Sequence, residues 1–223
     1  MYMAELRDER RYCGAKVKSI FNYGTFNSPH RLPNGTLLHV NEWSLTPDNK
    51  VIWSADKLIH VLIPIYGDLS VDTVHGRRVV PVGELLIFWA LDGADTVIES
   101  LNKDCLNGTF MQLAFASSTY SGPDMYQGEI PVLKTNLRNS MIPIESEGCW
   151  GFELFFGAFI GKSESKLDAG SGLAHQHFVF VISGTMEVED RLLNAGDSLC
   201  LHDYDEIEFA CLAGNSLLML VKY

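Results

Sequence analysis

The sequence predicts an all-β protein folded as two small antiparallel barrels or sandwiches in tandem. Three observations predict it. Helical periodicity is almost absent from the 223 residues, whereas β-branched and aromatic runs punctuated by Gly, Asn and Pro recur throughout. A hairpin-sized motif occurs twice. Between the copies lies SSTYSGPDMYQGEIP (117–131), a Ser-, Gly- and Pro-rich crossing.

In chain order, the opening MYMAELRDERRY is charged and has no apolar h-region, so no signal peptide is expected. Arg7 to Lys18 mixes bases with acids and reads as a solvated leader. The first motif, IPIYGDLSVDTVHGRRVVPVGELLIF (63–88), aligns with FVISGTMEVEDRLLNAGDSLCL (180–201) on Gly67 and Gly184. Each copy shows an apolar strand, a glycine that permits a sharp bend, and an alternating strand, Leu69 and Val71 against Met186 and Val188. A polar turn follows, then an Arg-led strand from Arg78 or Arg191 to a Gly-acid pair that turns into the next buried strand. The first copy carries four extra residues at its hairpin turn.

With 47% hydrophobic and 20% charged residues, the composition is that of a folded globular chain. A net charge of -11 argues against a nucleic-acid surface, which needs clustered positive charge. No apolar run approaches the ~18 residues that span a bilayer, so a soluble, cytoplasmic chain is expected. The five cysteines have no CxxC spacing, and Cys200 and Cys211 sit in apolar runs as free buried thiols. None is flanked by groups that would lower its pKa, and no nucleophilic triad or phosphate-cradling loop is apparent.

The strand, glycine, short hairpin and P-x-G-[DE] pattern, here Pro81-Val82-Gly83-Glu84 and Asn194-Ala195-Gly196-Asp197, resembles the cupin core. More narrowly, the chain resembles the pirin-related bicupins. The stretch 23–47 is similar to that family's opening strands, FMQLAFASS with PDMYQGEIP (110–131) to the segment closing its first barrel, and Phe156 onward to its second cupin. The resemblance implies two tandem jelly-roll barrels. The expected division is 1–116 for the first, 117–150 for the crossing and 151–223 for the second, with exchange of strands between the halves left open.

The resemblance also implies a metal, usually iron, in the first barrel, held by a His-x-His pair before the first glycine and a His-x-Glu pair after the P-x-G-[DE] turn. Counting from Gly67 puts the first pair at Trp53 and Ala55, and counting through 93–102 puts the second at Ile98 and Ser100. An indole offers no accessible lone pair, Ala and Ile offer nothing, and a lone serine hydroxyl is a poor ligand. The expected site is therefore a metal-free pocket, or a plug, lined by Trp53, Ala55, Ile59, Ile98 and Ser100. Asp56, His60 and Glu99 lie nearby, but an odd shift on a strand points to the other face. His39 and His60 are the one histidine pair expected to be able to meet inside this barrel.

The second barrel contains AHQHFVF (174–180), whose His175 and His177 have the i, i+2 spacing of two ligands on one strand face. The positions equivalent to the family's His-x-His pair are Gly170 and Gly172, so both histidines are expected on an outer face. His202 follows the Gly-acid strand, away from a partner ligand's place; a relocated metal site on His175, His177 and His202 is the alternative.

Three functions stay open. A non-catalytic bicupin binding a small organic molecule without a cofactor is favoured. A quercetinase-like dioxygenase would need iron or another divalent metal in a relocated site. An interaction module, as the animal pirins imply, would use its strand edges for a partner or a second copy as a homodimer. No nucleic-acid or membrane partner is expected.

Overall fold

The computed structural model describes residues 9–12, 15–22, 36–47, 49–54, 57–102, 107–116, 123–135, 137–144, 150–168 and 176–223. They fall into two compact units, one reaching to Glu129 with Trp150 and Gly151 added, the other holding Ile130–Glu145 and Phe152–Tyr223. Apart from one short helix, α1 (Pro131–Lys134), the described regular structure is antiparallel β. No helix is long and apolar enough to cross a membrane.

The first unit is a two-sheet jelly roll. Its larger sheet has the order β1 (Glu9–Tyr12), β2 (Ala15–Asn22), β3 (Leu37–Leu45), β10 (Gly108–Ala116), β5 (Leu58–Tyr66), β8 (Glu84–Trp89), β11 (Met125–Glu129). The smaller sheet runs β4 (Lys50–Ser54), β9 (Asp95–Ser100), β6 (Leu69–Thr73), β7 (Gly76–Val80). Between them Trp43, Leu62, Leu86, Phe88 and Phe110 of the larger sheet meet Val51, Leu69, Val71 and Ile98 of the smaller. Burying a side chain such as Phe88 is worth roughly 1.5–3 kcal/mol, so this interior holds the unit together. The unbroken apolar runs of β5 and β8 have a reason: both faces are buried, with Ile59, Val61 and Ile63 on the face opposite Leu62. The strand β11 lies inside the expected crossing segment and pairs with β8.

The second unit is one strongly bent sheet. It contains β12 (Met141–Pro143), β13 (Glu153–Ile160), β14 (Glu164–Asp168), β15 (Gln176–Val188), β16 (Arg191–Asn194), β17 (Ser198–His202) and β18 (Glu206–Lys222). The two long strands β15 and β18 fold over a core of Val179, Val181, Met186, Leu199, Phe209, Leu218 and Leu220. They bend through three register irregularities between Val181 and Met186.

The repeat seen in the sequence is structural. Gly67 and Gly184 both adopt positive φ, +78° and +85°. Both P-x-G-[DE]-like turns close the same way, Glu84 N–H donating to the Pro81 carbonyl at 3.1 Å and Asp197 N–H to that of Asn194 at 2.9 Å. The four extra residues of the first copy do not enlarge its turn. Val71 pairs with Arg78 as Val188 pairs with Arg191, and the insertion adds the rungs Asp72–Arg77 and Thr73–Gly76 above that level. Each hairpin still closes with two residues, because a two-residue loop matches the twist of the flanking strands.

Candidate functional site

Strand alternation decides what faces the interior of the first barrel. On β3 the inward set is His39, Asn41, Trp43 and Leu45; on β10 it is Phe110, Gln112 and Ala114, directly across from Trp43, Asn41 and His39. On β5 it is His60 and Leu62, opposite Phe88 and Leu86 of β8. Trp53 enters from β4, beside Val51. The result is a polar cluster set in aromatic walls. Trp43 stacks on Trp53 with ring centroids 5.7 Å apart and on Phe110 at 6.1 Å. His60 stacks on Phe88 at 5.4 Å and lies 5.9 Å from Trp53 and 6.5 Å from His39.

One hydrogen-bonded chain runs through this cluster. Trp43 Nε1–H donates to Gln112 Oε1 at 2.8 Å, joined by a longer contact from Asn41 Nδ2 at 3.4 Å. Gln112 Nε2 lies 3.2 Å from His60 Nδ1. His60 is only 3% exposed, and burial, reinforced by His39, pushes its pKa from 6.5 down to about 3. It is a neutral imidazole at physiological pH. Among the described residues, His60 Nε2 and Trp53 Nε1 are buried beside this cluster with no hydrogen-bond partner, a condition native interiors rarely tolerate.

The sequence-derived site residues distribute unevenly. Trp53 packs against the barrel core and Ile98 is part of it. Ser100 accepts a hydrogen bond from Asn102 N–H at 3.3 Å and fills the space beside Gly108, where a Cβ would collide with it. Ile59 corrects an expectation: it lies on the far face of β5, and His60 occupies the inward position. β5 carries a bulge, Thr109 pairing with Tyr66 but Phe110 with Pro64, so alternation does not run unbroken from Gly67 to Ile59. Glu99 lies on the opposite face of β9 from Ile98, where Arg77 holds it at 3.1 Å. Ala55 and Asp56 lie outside the described residues. Gln112 was missed, although a lone polar residue in the apolar run FMQLAFA was a visible signal of a buried hydrogen-bonded group.

Among the described residues, the positions that the resemblance assigns to ligands hold Trp53, Ile98 and Ser100, and of the two histidines nearby His60 is engaged through one nitrogen. Nδ1 of His60 already faces an amide donor, so its lone pair is engaged. Among the described residues no three His, Cys, Asp or Glu side chains come together as a metal site.

In the second barrel His177 is fully buried, on the strand face it shares with Val179 and Val181 of the core. This overturns the expected outer-face placement. The irregularities between Val181 and Met186 break the alternation between Gly184 and the start of β15, so parity counted from that glycine does not carry back to residue 177. His202 is exposed and pairs across from Gln176, on the opposite face from His177. His175 lies outside the described residues. His75 is structural, its Nε2 donating to the Trp89 carbonyl at 2.7 Å. Cys211 is buried and its thiol faces Ser216 Oγ at 3.5 Å, while burial pushes the half-buried Cys200 thiol up to about 11, unfit for a nucleophile.

The two tandem barrels, with a seven-stranded and a four-stranded sheet in the first and the P-x-G-[DE]-type turn in each, define the class: this is the fold of the pirin-related bicupins. Among solved structures the chain is similar to YhhW of Escherichia coli, with a TM-score of 0.78 at 14% identity over 97% of this chain and 93% of that one. The bacterial pirin YhhW in complex with nickel(II), also from Escherichia coli, gives 0.75 at 13% identity over 97% and 94%. YhaK from the same organism gives 0.73 at 18% identity over 90% and 91%. At these identities the likeness is one of fold. No protein-family model matches the chain, and no curated protein matches it.

Proposed function

We propose that this chain is a bicupin that binds a small organic molecule inside its first barrel without a resident metal and without catalysing a redox reaction. One observation carries the reading: two buried polar groups without partners, His60 Nε2 and Trp53 Nε1, share an interior walled by Trp43, Phe88 and Phe110. A few polar groups within apolar, aromatic walls are what holds and orients a small ligand. A cupin dioxygenase needs a redox metal with open coordination positions, and among the described residues no three His, Cys, Asp or Glu side chains come together to hold one.

Elemental analysis of tag-free protein after anaerobic incubation with ferrous iron, nickel, manganese and zinc tests the absence of the metal. Well below one metal per chain is expected after desalting. About one tightly held ion per chain, lost on His60→Gln or His177→Gln, would replace this reading with a relocated metal centre.

A further inference from the structure

Beyond the presence of a ligand, and resting on that reading, the geometry points to its polar chemistry: the first barrel is a hydrogen-bond donor site, with His60 held as the Nε2–H tautomer, built for a neutral carbonyl oxygen on an apolar body.

Trp43 sets the direction of the hydrogen-bonded chain. An indole N–H can only donate, so the atom it meets at 2.8 Å must be the carbonyl oxygen of Gln112. That fixes which way the amide lies. Its NH2 group therefore faces His60 Nδ1 at 3.2 Å, and an amide NH2 can only donate. Nδ1 must accept. A neutral imidazole carries one proton, which is left on Nε2, and burial keeps the ring neutral. A protonated Nε2 has no lone pair for a metal; it is a donor lacking an acceptor.

Trp53 Nε1–H is a second such donor, on a ring 5.9 Å from that of His60. Two buried N–H donors on neighbouring rings call for an acceptor, and the aromatic side chains around them, Trp53 and Phe88 among them, call for an apolar body on that acceptor. Charge narrows the class. Among the described residues, the side chains recorded against His60 from the packed strands are His39, Gln112, Phe88 and Trp53, with no Lys or Arg among them. Burying a carboxylate against neutral donors alone is costly, whereas a ketone, lactone or amide oxygen is satisfied by them.

Long-range proton–nitrogen NMR of the histidine rings of the full chain reads the tautomer directly, and titration with acetophenone, benzoate and ethylbenzene reads the class. The wild type should show His60 with its proton on Nε2. Acetophenone should move the His60 Nε2–H and Trp53 Nε1–H signals, with ethylbenzene leaving both in place. In Gln112→Glu a carboxylate accepts from Nδ1–H, so the proton should move to Nδ1 and acetophenone binding should weaken roughly tenfold. Should that variant fail to fold, Trp43→Phe frees the amide to rotate and should give a mixture of tautomers. An Nδ1–H tautomer or an imidazolium in the wild type at neutral pH overturns the inference while leaving small-molecule binding intact. Shifts with benzoate alone overturn the neutral class, as do N–H signals unmoved by acetophenone up to its solubility limit. A stoichiometric metal on His60 sinks the underlying reading as well.

Discussion

At the scale of single residues, donor and acceptor identity matters more in the first barrel than charge. His60, Gln112 and Trp43 form a chain in which each atom's role is dictated by its neighbour. The arrangement has a cost that acid exposes. In the unfolded chain His60 protonates near its ordinary 6.5, but in the folded barrel only near 3. Between those values the unfolded state binds the extra proton, so stability is fully present above about pH 6.5 and falls as pH drops toward 3. Over the whole window the loss is on the order of a few kcal/mol. Urea unfolding at pH 7 and pH 4.5 should show a drop in midpoint for the wild type that is smaller in His60→Gln. Equal drops would mean that His60 is hydrated and not neutral-locked.

At the scale of elements, irregularities do the shaping. The bulges between Val181 and Met186 turn β15 from one side of its barrel to the other, and Gly184 sits among them at φ +85°. A Cβ there would come within 2.5 Å of the Asn215 carbonyl oxygen and 2.7 Å of Ser216 Cα, both on the backbone of β18. Backbone cannot move aside as a flexible side chain can. Gly184→Ala should therefore lower stability by roughly 2–4 kcal/mol, combining a left-handed conformation with a steric clash. A thermal melt shifted by less than a couple of degrees would show that β18 yields at this point. The second-barrel hairpin shows the opposite strategy. Glu189 and Asp190 accept positive φ, +49° and +57°, without glycine, and Glu189 Oε1 secures the turn by accepting from Glu208 N–H at 2.7 Å.

For the molecule as a whole, charge sets which partners are admissible. A net charge of -11 includes acidic runs such as HDYDEIEF (202–209), where Lys166 is clasped by Glu206 and Glu208, which raise its pKa. Such a surface repels polyanions at long range. The protein should pass unretained through a heparin column at physiological salt. Retention that weakens steeply as salt rises would reveal a local basic surface that the net charge hides.

The sequence by itself determined the all-β class, the tandem barrels and the repeat, because those rest on composition, turn chemistry and internal periodicity, which are local properties of the chain. It also named Trp53 and Ile98 as lining the first barrel and His39 and His60 as the one histidine pair able to meet there, and the rings of these two lie 6.5 Å apart. Parity near each bend was beyond it. Ile59 was grouped with the pocket lining and His177 was put on an outer face by counting from Gly184, and in both strands a bulge lies between the glycine and the residue. A bulge is a property of two paired strands, and pairing is not written in either strand alone. The decisive tautomer of His60 belongs to the same category. It follows from Trp43 on β3 reaching Gln112 on β10 and Gln112 reaching His60 on β5, residues 69 and 52 positions apart in the chain. Only tertiary structure brings them within hydrogen-bond reach, and only that contact turns a ring able to bind a metal into one that donates.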